Sequence, residues 1–114
     1  MNADHVFAKN IRLKRNPRNA KKPKLLNARL FALEFPETFY LPSDSAIKKV
    51  KPGDYVKLAI QLGEKPGERF WVKVAGFEGR KWFGEVANDL VFYEYPLGDS
   101  VQFYRKNIYD VEYA

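Results

Sequence analysis

The sequence predicts an α+β, mainly β, fold: a strongly bent antiparallel sheet or a small SH3-like or OB-like barrel with one short helix. Three observations predict it. Apolar residues alternate with polar ones over residues 55–62 and again over 70–75, turn signals recur every several residues up to Asp99, and one capped helical stretch precedes the strands.

In chain order, residues 42–50 (Pro-Ser-Asp-Ser-Ala-Ile-Lys-Lys-Val) carry an N-cap serine, an aspartate near the positive end of the helix dipole and two lysines near the negative end, and Pro52-Gly53 stops the helix. Ala46, Ile47 and Val50 are placed to pack downward, so this helix is expected to cap the sheet. Residues 31–41, interrupted by Pro36, read as strand, extended lead-in or both. Val56, Leu58, Ile60 and Leu62 then point one way while Tyr55, Lys57, Ala59 and Gln61 point the other. Gly63 and Gly67 bound a polar connector, after which Phe70, Val72 and Val74 alternate with Arg69, Trp71, Lys73 and Ala75 to complete a hairpin. Phe77-Glu78-Gly79-Arg80 turns the chain into a strand over 81–87, Asn88-Asp89 breaks it, and further strands are expected over 90–95, 101–104 and around 108–113.

Gly76, Gly79 and Gly84 stand where a strand bends or a second backbone comes close. Gly53-Asp54-Tyr55-Val56 and Gly98-Asp99-Ser100-Val101 repeat a Gly-Asp-x-Val pattern. In both, the aspartate is expected to accept backbone N–H groups in the turn while the valine begins the buried face.

The 114 residues hold 46% hydrophobic and 16% aromatic side chains, enough for one compact core and not for an intrinsically disordered chain. No apolar run approaches the length of a membrane-spanning helix, and Met1-Asn2-Ala3-Asp4-His5 lacks the layout of a secretory signal, so a cytoplasmic location is expected. With no cysteine, disulfides, thiolate zinc sites and cysteine nucleophiles are excluded. A single histidine makes a multi-histidine metal site or a Ser-His-Asp triad hard to assemble. Phosphate loops, a dinucleotide fingerprint and calcium loops are missing, and no carboxylate pair has a spacing that demands acid–base roles. The expectation is a protein that is not an enzyme, with no cofactor, metal or catalytic residue.

The formal charge of +6 is unevenly distributed. Of the 20 basic and 14 acidic residues, positions 1–29 hold nine and one, leaving 11 and 13 for positions 30–114. The chain therefore divides into a basic, partly disordered N-terminal arm (1–29) and a small β-rich domain (30–114). Within the arm, residues 16–24 offer too few apolar side chains to offset the entropy of ordering, while Ile11, Leu13 and the leucines from Leu25 onward could pin one or both ends. Such a cation density displaces counterions from nucleic acid and gives salt-dependent, sequence-independent affinity. A solvating tail and an organelle-targeting peptide are the other readings of the same residues.

The residues over 41–43, 50–58, 68–74 and 83–89, with Gly98-Asp99-Ser100-Val101 and Ile108-Tyr109-Asp110 in order behind them, resemble the small bacterial family of domain of unknown function 2314. The resemblance spans about residues 39–111, leaves out the basic arm, and departs from the family pattern at Phe70, Val86 and Val111. It implies a compact intracellular α+β module with no established activity, and so leaves the function open.

Two candidate surfaces follow. DNA or RNA binding is assigned to Lys9, Arg12, Lys14, Arg15, Arg18, Lys21, Lys22, Lys24 and Arg29 of the arm, together with Lys57, Arg69, Lys73, Trp71 and Trp82 of the sheet, where both indoles are expected on one face as a stacking platform. A covering helix or the 31–40 segment would instead make the tryptophans core. The alternative function is protein–protein interaction, as an inhibitor or immunity-type accessory protein, through a tyrosine-rich edge of Tyr93, Tyr95, Tyr104, Tyr109 and Tyr113.

Overall fold

A computed structural model describes residues 6–7, 12–13, 24–34, 41–61, 67–94 and 97–114. Nine strands, two α-helices and one 3-10 turn occupy them: β1 (Val6–Phe7), β2 (Arg12–Leu13), β3 (Lys24–Leu25), α1 (Ala28–Glu34), α2 (Asp44–Lys48), β4 (Tyr55–Gln61), β5 (Glu68–Glu78), β6 (Lys81–Val86), β7 (Tyr93–Glu94), β8 (Ser100–Phe103), the 3-10 turn (Arg105–Asn107) and β9 (Asp110–Glu112). The main sheet is antiparallel in the order β1-β3-β4-β5-β6-β8 and curls into a half-barrel. The free edge of β4 is shared, with β3 pairing its far end through Ile60 and Gln61 and β9 pairing its near end through Tyr55, Val56 and Lys57. That double cover leaves β4 without an open edge on which another chain could pair.

The concave face is the core. Val56, Leu58 and Ile60 of β4, Phe70, Val72 and Val74 of β5, Trp82 and Val86 of β6, and Val101 and Phe103 of β8 are all buried, joined by Ile47 and Val50 from the α2 region. Burying side chains of this size stabilises by roughly 1.5–3 kcal/mol each before entropy is counted. The period-two alternation seen in the sequence is the pleat of these strands.

Two glycines do what the strand curvature needs. A Cβ on Gly84 would come within 2.6 Å of the Lys73 carbonyl oxygen and would also overlap Val72, so β6 lies against β5 closer than any other residue permits. Gly76 sits at a register break in the β5–β6 ladder, which pairs Val74 with Gly84 and then Gly76 with Phe83. The extra residue turns Phe77 onto the core side, where its ring meets Trp82 edge-on at 4.6 Å.

The Gly-Asp-x-Val repeat is a structural repeat as well. Gly53 N–H donates to the Val74 carbonyl while Val74 N–H donates to the Asp54 carbonyl. In the same way Gly98 N–H donates to Val86 and Val86 N–H to Asp99. Both glycines have φ near +90° (100° and 89°), which lays each strand start against its neighbour. Asp54 is buried and accepts the N–H groups of Lys51 and Ala114, both at 2.9 Å. These bonds hold its carboxyl below the usual carboxylate value.

The predicted helix is α2, capped by the Ser43 hydroxyl, which accepts from Ala46 N–H at 3.1 Å, with Asp44 in its first turn and Lys48 in its last. A further helix, α1, occupies residues 28–34, part of which was expected to be strand or extended lead-in. Asn27 starts it, its Oδ1 accepting the N–H groups of Arg29 and Leu30. An asparagine cap followed by Ala-Arg-Leu-Phe-Ala-Leu-Glu is a strong helix start once the cap is noticed. The domain boundary drawn at residue 30 thus falls inside a helix; β1 and β3 tie parts of the basic segment to the main sheet, and β2 pairs with β7 in a separate two-stranded sheet. Apart from Lys24, the 16–24 stretch expected to be mobile lies outside the described residues.

Candidate nucleic-acid interface

The convex face of β4 and β5 carries the candidate site, and the strand register dictates its layout. Lys57 is the partner of Trp71, Tyr55 of Lys73, and Ala59 of Arg69. On the other flank of β4, Glu112 stands opposite Tyr55 and Asp110 opposite Lys57. Partners across antiparallel strands share a face, so one row reads Glu112, Tyr55, Lys73, Glu85 and the next reads Asp110, Lys57, Trp71.

One end of this face is covered. Ala59, Ala28 and Tyr109 form a second small buried cluster with Leu26 and Leu41 against it. Arg69 lies over the Tyr109 ring, 5.2 Å from its centroid. Burial pushes the Tyr109 phenol up to about 12, the nearby Arg69 charge opposing that shift. The other end is open. Trp71 is half-buried, the Lys57 ammonium sits 4.8 Å from its ring centroid, and Lys73 is exposed. Tyr55, Trp71, Ala87 and Glu112 line a pocket of about 300 Å³.

Bonds to β5 hold the loop after β6 in place. The Asn88 Oδ1 accepts Trp71 N–H, and both oxygens of the Glu68 carboxylate are used, by Val91 N–H and Phe92 N–H. Ala87 is fixed beside Trp71 by its own N–H to the Trp71 carbonyl at 2.9 Å.

Lys57, Arg69, Lys73 and Trp71 are therefore brought together on one face, as expected. Trp82 is not with them. It is 7% exposed, packed between Phe77 and Phe103 on the concave side, so the two-indole platform is corrected to a single indole. The signal was present in β6, where Trp82, Gly84 and Val86 alternate with Lys81 and Glu85. Lys24 is half-buried in β3. Arg29 on α1 is ion-paired to Asp44 at 2.7 Å, with Arg105 also on Asp44 at 3.6 Å. The Arg29 hydrogen bond and charge hold the Asp44 carboxyl below its usual value. Arg12 lies in β2, opposite Glu94 in the β2–β7 strand register. Lys9, Lys14, Arg15, Arg18, Lys21 and Lys22 lie outside the described residues.

The tyrosine-rich edge is corrected too. Tyr93 is fully buried in the main core, and Tyr109 is buried on the convex face in the second cluster with Ala28 and Ala59, Leu26 and Leu41 packing against it; Tyr104 packs partly against the core. Tyr113 is exposed, its hydroxyl donating to the Ala46 carbonyl at 2.6 Å. Tyr95 lies outside the described residues. Tyr55 and Glu112 were not singled out in the sequence. Tyr55 could have been, from its alternation with Lys57, whereas Glu112 reaches the site only through the long-range β4–β9 pairing.

Among the described residues no three His, Cys, Asp or Glu side chains gather as a metal set, and no helix is long and apolar enough to cross a membrane. Fold and face together define a curled β half-barrel whose convex surface carries an indole with cations beside it and carboxylates at its flanks. Comparisons with protein families, curated proteins and solved structures found no match.

Proposed function

We propose that this chain is a non-enzymatic binding module for single-stranded nucleic acid. The observation that carries the reading is Trp71, a half-exposed indole on a sheet face beside Lys57 and flanked by Lys73 and Arg69. An indole accepts any base by stacking, at about 1–3 kcal/mol per base, and the cations on either side meet the backbone phosphates. Basic residues of the first 29 positions add long-range attraction that salt screens. A cytoplasmic location and kinship with the domain of unknown function 2314 family belong to the same proposal. They rest on the cysteine-free composition and on the strand and turn residues named above.

Fluorescence anisotropy with a labelled oligothymidylate tests it. Trp71→Ala is expected to weaken binding by roughly tenfold, and neutralising Lys14, Arg15 and Arg18 to glutamine to weaken it further at low salt. Equal affinity of the wild type and Trp71→Ala would rule the reading out.

A second reading, a protein-interaction or inhibitor role, has one observation in its favour. Val91 and Phe92 are 70% and 46% exposed, on a loop whose backbone is held by Glu68, so two apolar side chains are presented in a fixed pose. Rigid, exposed apolar anchors are what an interface needs.

A further inference from the structure

We infer that the pocket lined by Tyr55, Trp71, Ala87 and Glu112 takes one unpaired base and prefers guanine. The inference rests on the single-strand reading above and names the base that this face selects.

The pocket's volume of about 300 Å³ lies at the small end of ligand sites, right for one ring system and not for an extended ligand. Two of its four lining residues are aromatic, and Ala87 leaves the side next to Trp71 open. Lys57 already lies over the Trp71 ring, and Lys73 is the register partner of Tyr55, so both rings have a cation beside them for the phosphates of the same strand.

The fourth lining residue sets the selectivity. Glu112 is exposed at the strand edge and its carboxylate has no partner among the described residues. An ionised carboxylate only accepts hydrogen bonds, through two oxygens side by side. Guanine alone presents two adjacent donors, N1–H and the N2 amine, on its pairing edge. Cytosine and adenine each offer a single amine beside an acceptor, and thymine one N–H between two carbonyls that a carboxylate repels. A bidentate base contact of this kind discriminates strongly against the wrong base.

The test uses short oligothymidylates carrying one central dG, dA, dC or dT, titrated against the whole chain and against Glu112→Gln. The dG strand is expected to bind about tenfold tighter than the dA, dC and dT strands. Glu112→Gln is expected to lose that preference, binding the dG strand no more tightly than the other three. A central inosine, which keeps N1–H and lacks the amine, is expected to fall between dG and dT. Equal binding of all four strands by the wild type overturns the guanine preference and leaves the single-strand reading standing. Failure of every strand to bind overturns both. An undiminished dG preference in Glu112→Gln, with thermal unfolding unchanged, overturns the role given to the carboxylate.

Discussion

The Lys57 ammonium lies 4.8 Å from the centroid of the Trp71 ring, and the two residues are direct partners across β4 and β5. A cation on an indole face in a partly exposed setting is worth about 0.5–1 kcal/mol. It also keeps the Trp71 side chain standing on the sheet face. The contact is compatible with ligand binding because Lys57 has a flexible stem and can turn from the ring to a phosphate without moving the strand.

Gly84→Ala is expected to destabilise the fold by about 1–3 kcal/mol. The added methyl would meet the Lys73 carbonyl oxygen, which belongs to the neighbouring strand and cannot rotate away. Chemical denaturation checks this, with Gly76→Ala as the comparison. Gly76 has open space at the same position, so its substitution is expected to cost less.

Asn107 is buried completely, donating from Nδ2 to the Leu26 carbonyl at 3.1 Å and accepting Tyr104 N–H on Oδ1 at 2.9 Å. It fastens the approach to α1 onto the turn before β9. Asn107→Ala leaves both backbone groups unpaired, and a loss of about 1–3 kcal/mol is expected from thermal unfolding.

Glu68→Ala frees the Val91 and Phe92 N–H groups that the carboxylate holds. Hydrogen exchange at those two amides is expected to accelerate, while the amides of Val72 and Val74 stay protected. Stability is expected to fall by roughly 1–3 kcal/mol. If the protein-interaction reading holds, the same variant weakens the partner's grip without touching Trp71.

Stability depends on pH at both ends of the range. The Tyr109 phenol is raised by burial to about 12, so its contribution is intact below the ordinary value of 10.0 and is lost as pH rises from there towards 12. Tyr109→Phe is expected to flatten that alkaline slope. Asp54 is lowered, so its contribution is present above 3.8 and lost as pH falls through its folded value, and Asp54→Asn is expected to flatten the acid slope. Urea midpoints across pH measure both.

How much of this was legible in the sequence depended on the range of the interaction. Val56, Leu58 and Ile60 announce their face by alternation alone, and Ser43 announces α2 by its cap, since both signals are local. The closeness of β5 at Gly84 was legible as a glycine in a strand. Tyr93 and Tyr109 read as surface residues because a tyrosine's hydroxyl suits either location, and long-range packing buries them, Tyr93 in the main core and Tyr109 with Ala28 and Ala59. Glu112 was invisible as a site residue because β9 meets β4 across more than fifty intervening residues. Trp82 carries a local signal too, since its own strand's alternation sets it with Val86 on the core face.

The most direct test of the central claim uses Trp82→Phe, a conservative core change that leaves Trp71 as the one indole of the chain. Its fluorescence is titrated with oligothymidylate over a salt series, with circular dichroism confirming the fold. The account predicts saturable quenching whose affinity falls with added salt, by about 0.7 in log–log slope for each phosphate neutralised. An indole that is not quenched, or quenching that salt leaves unchanged, would contradict it.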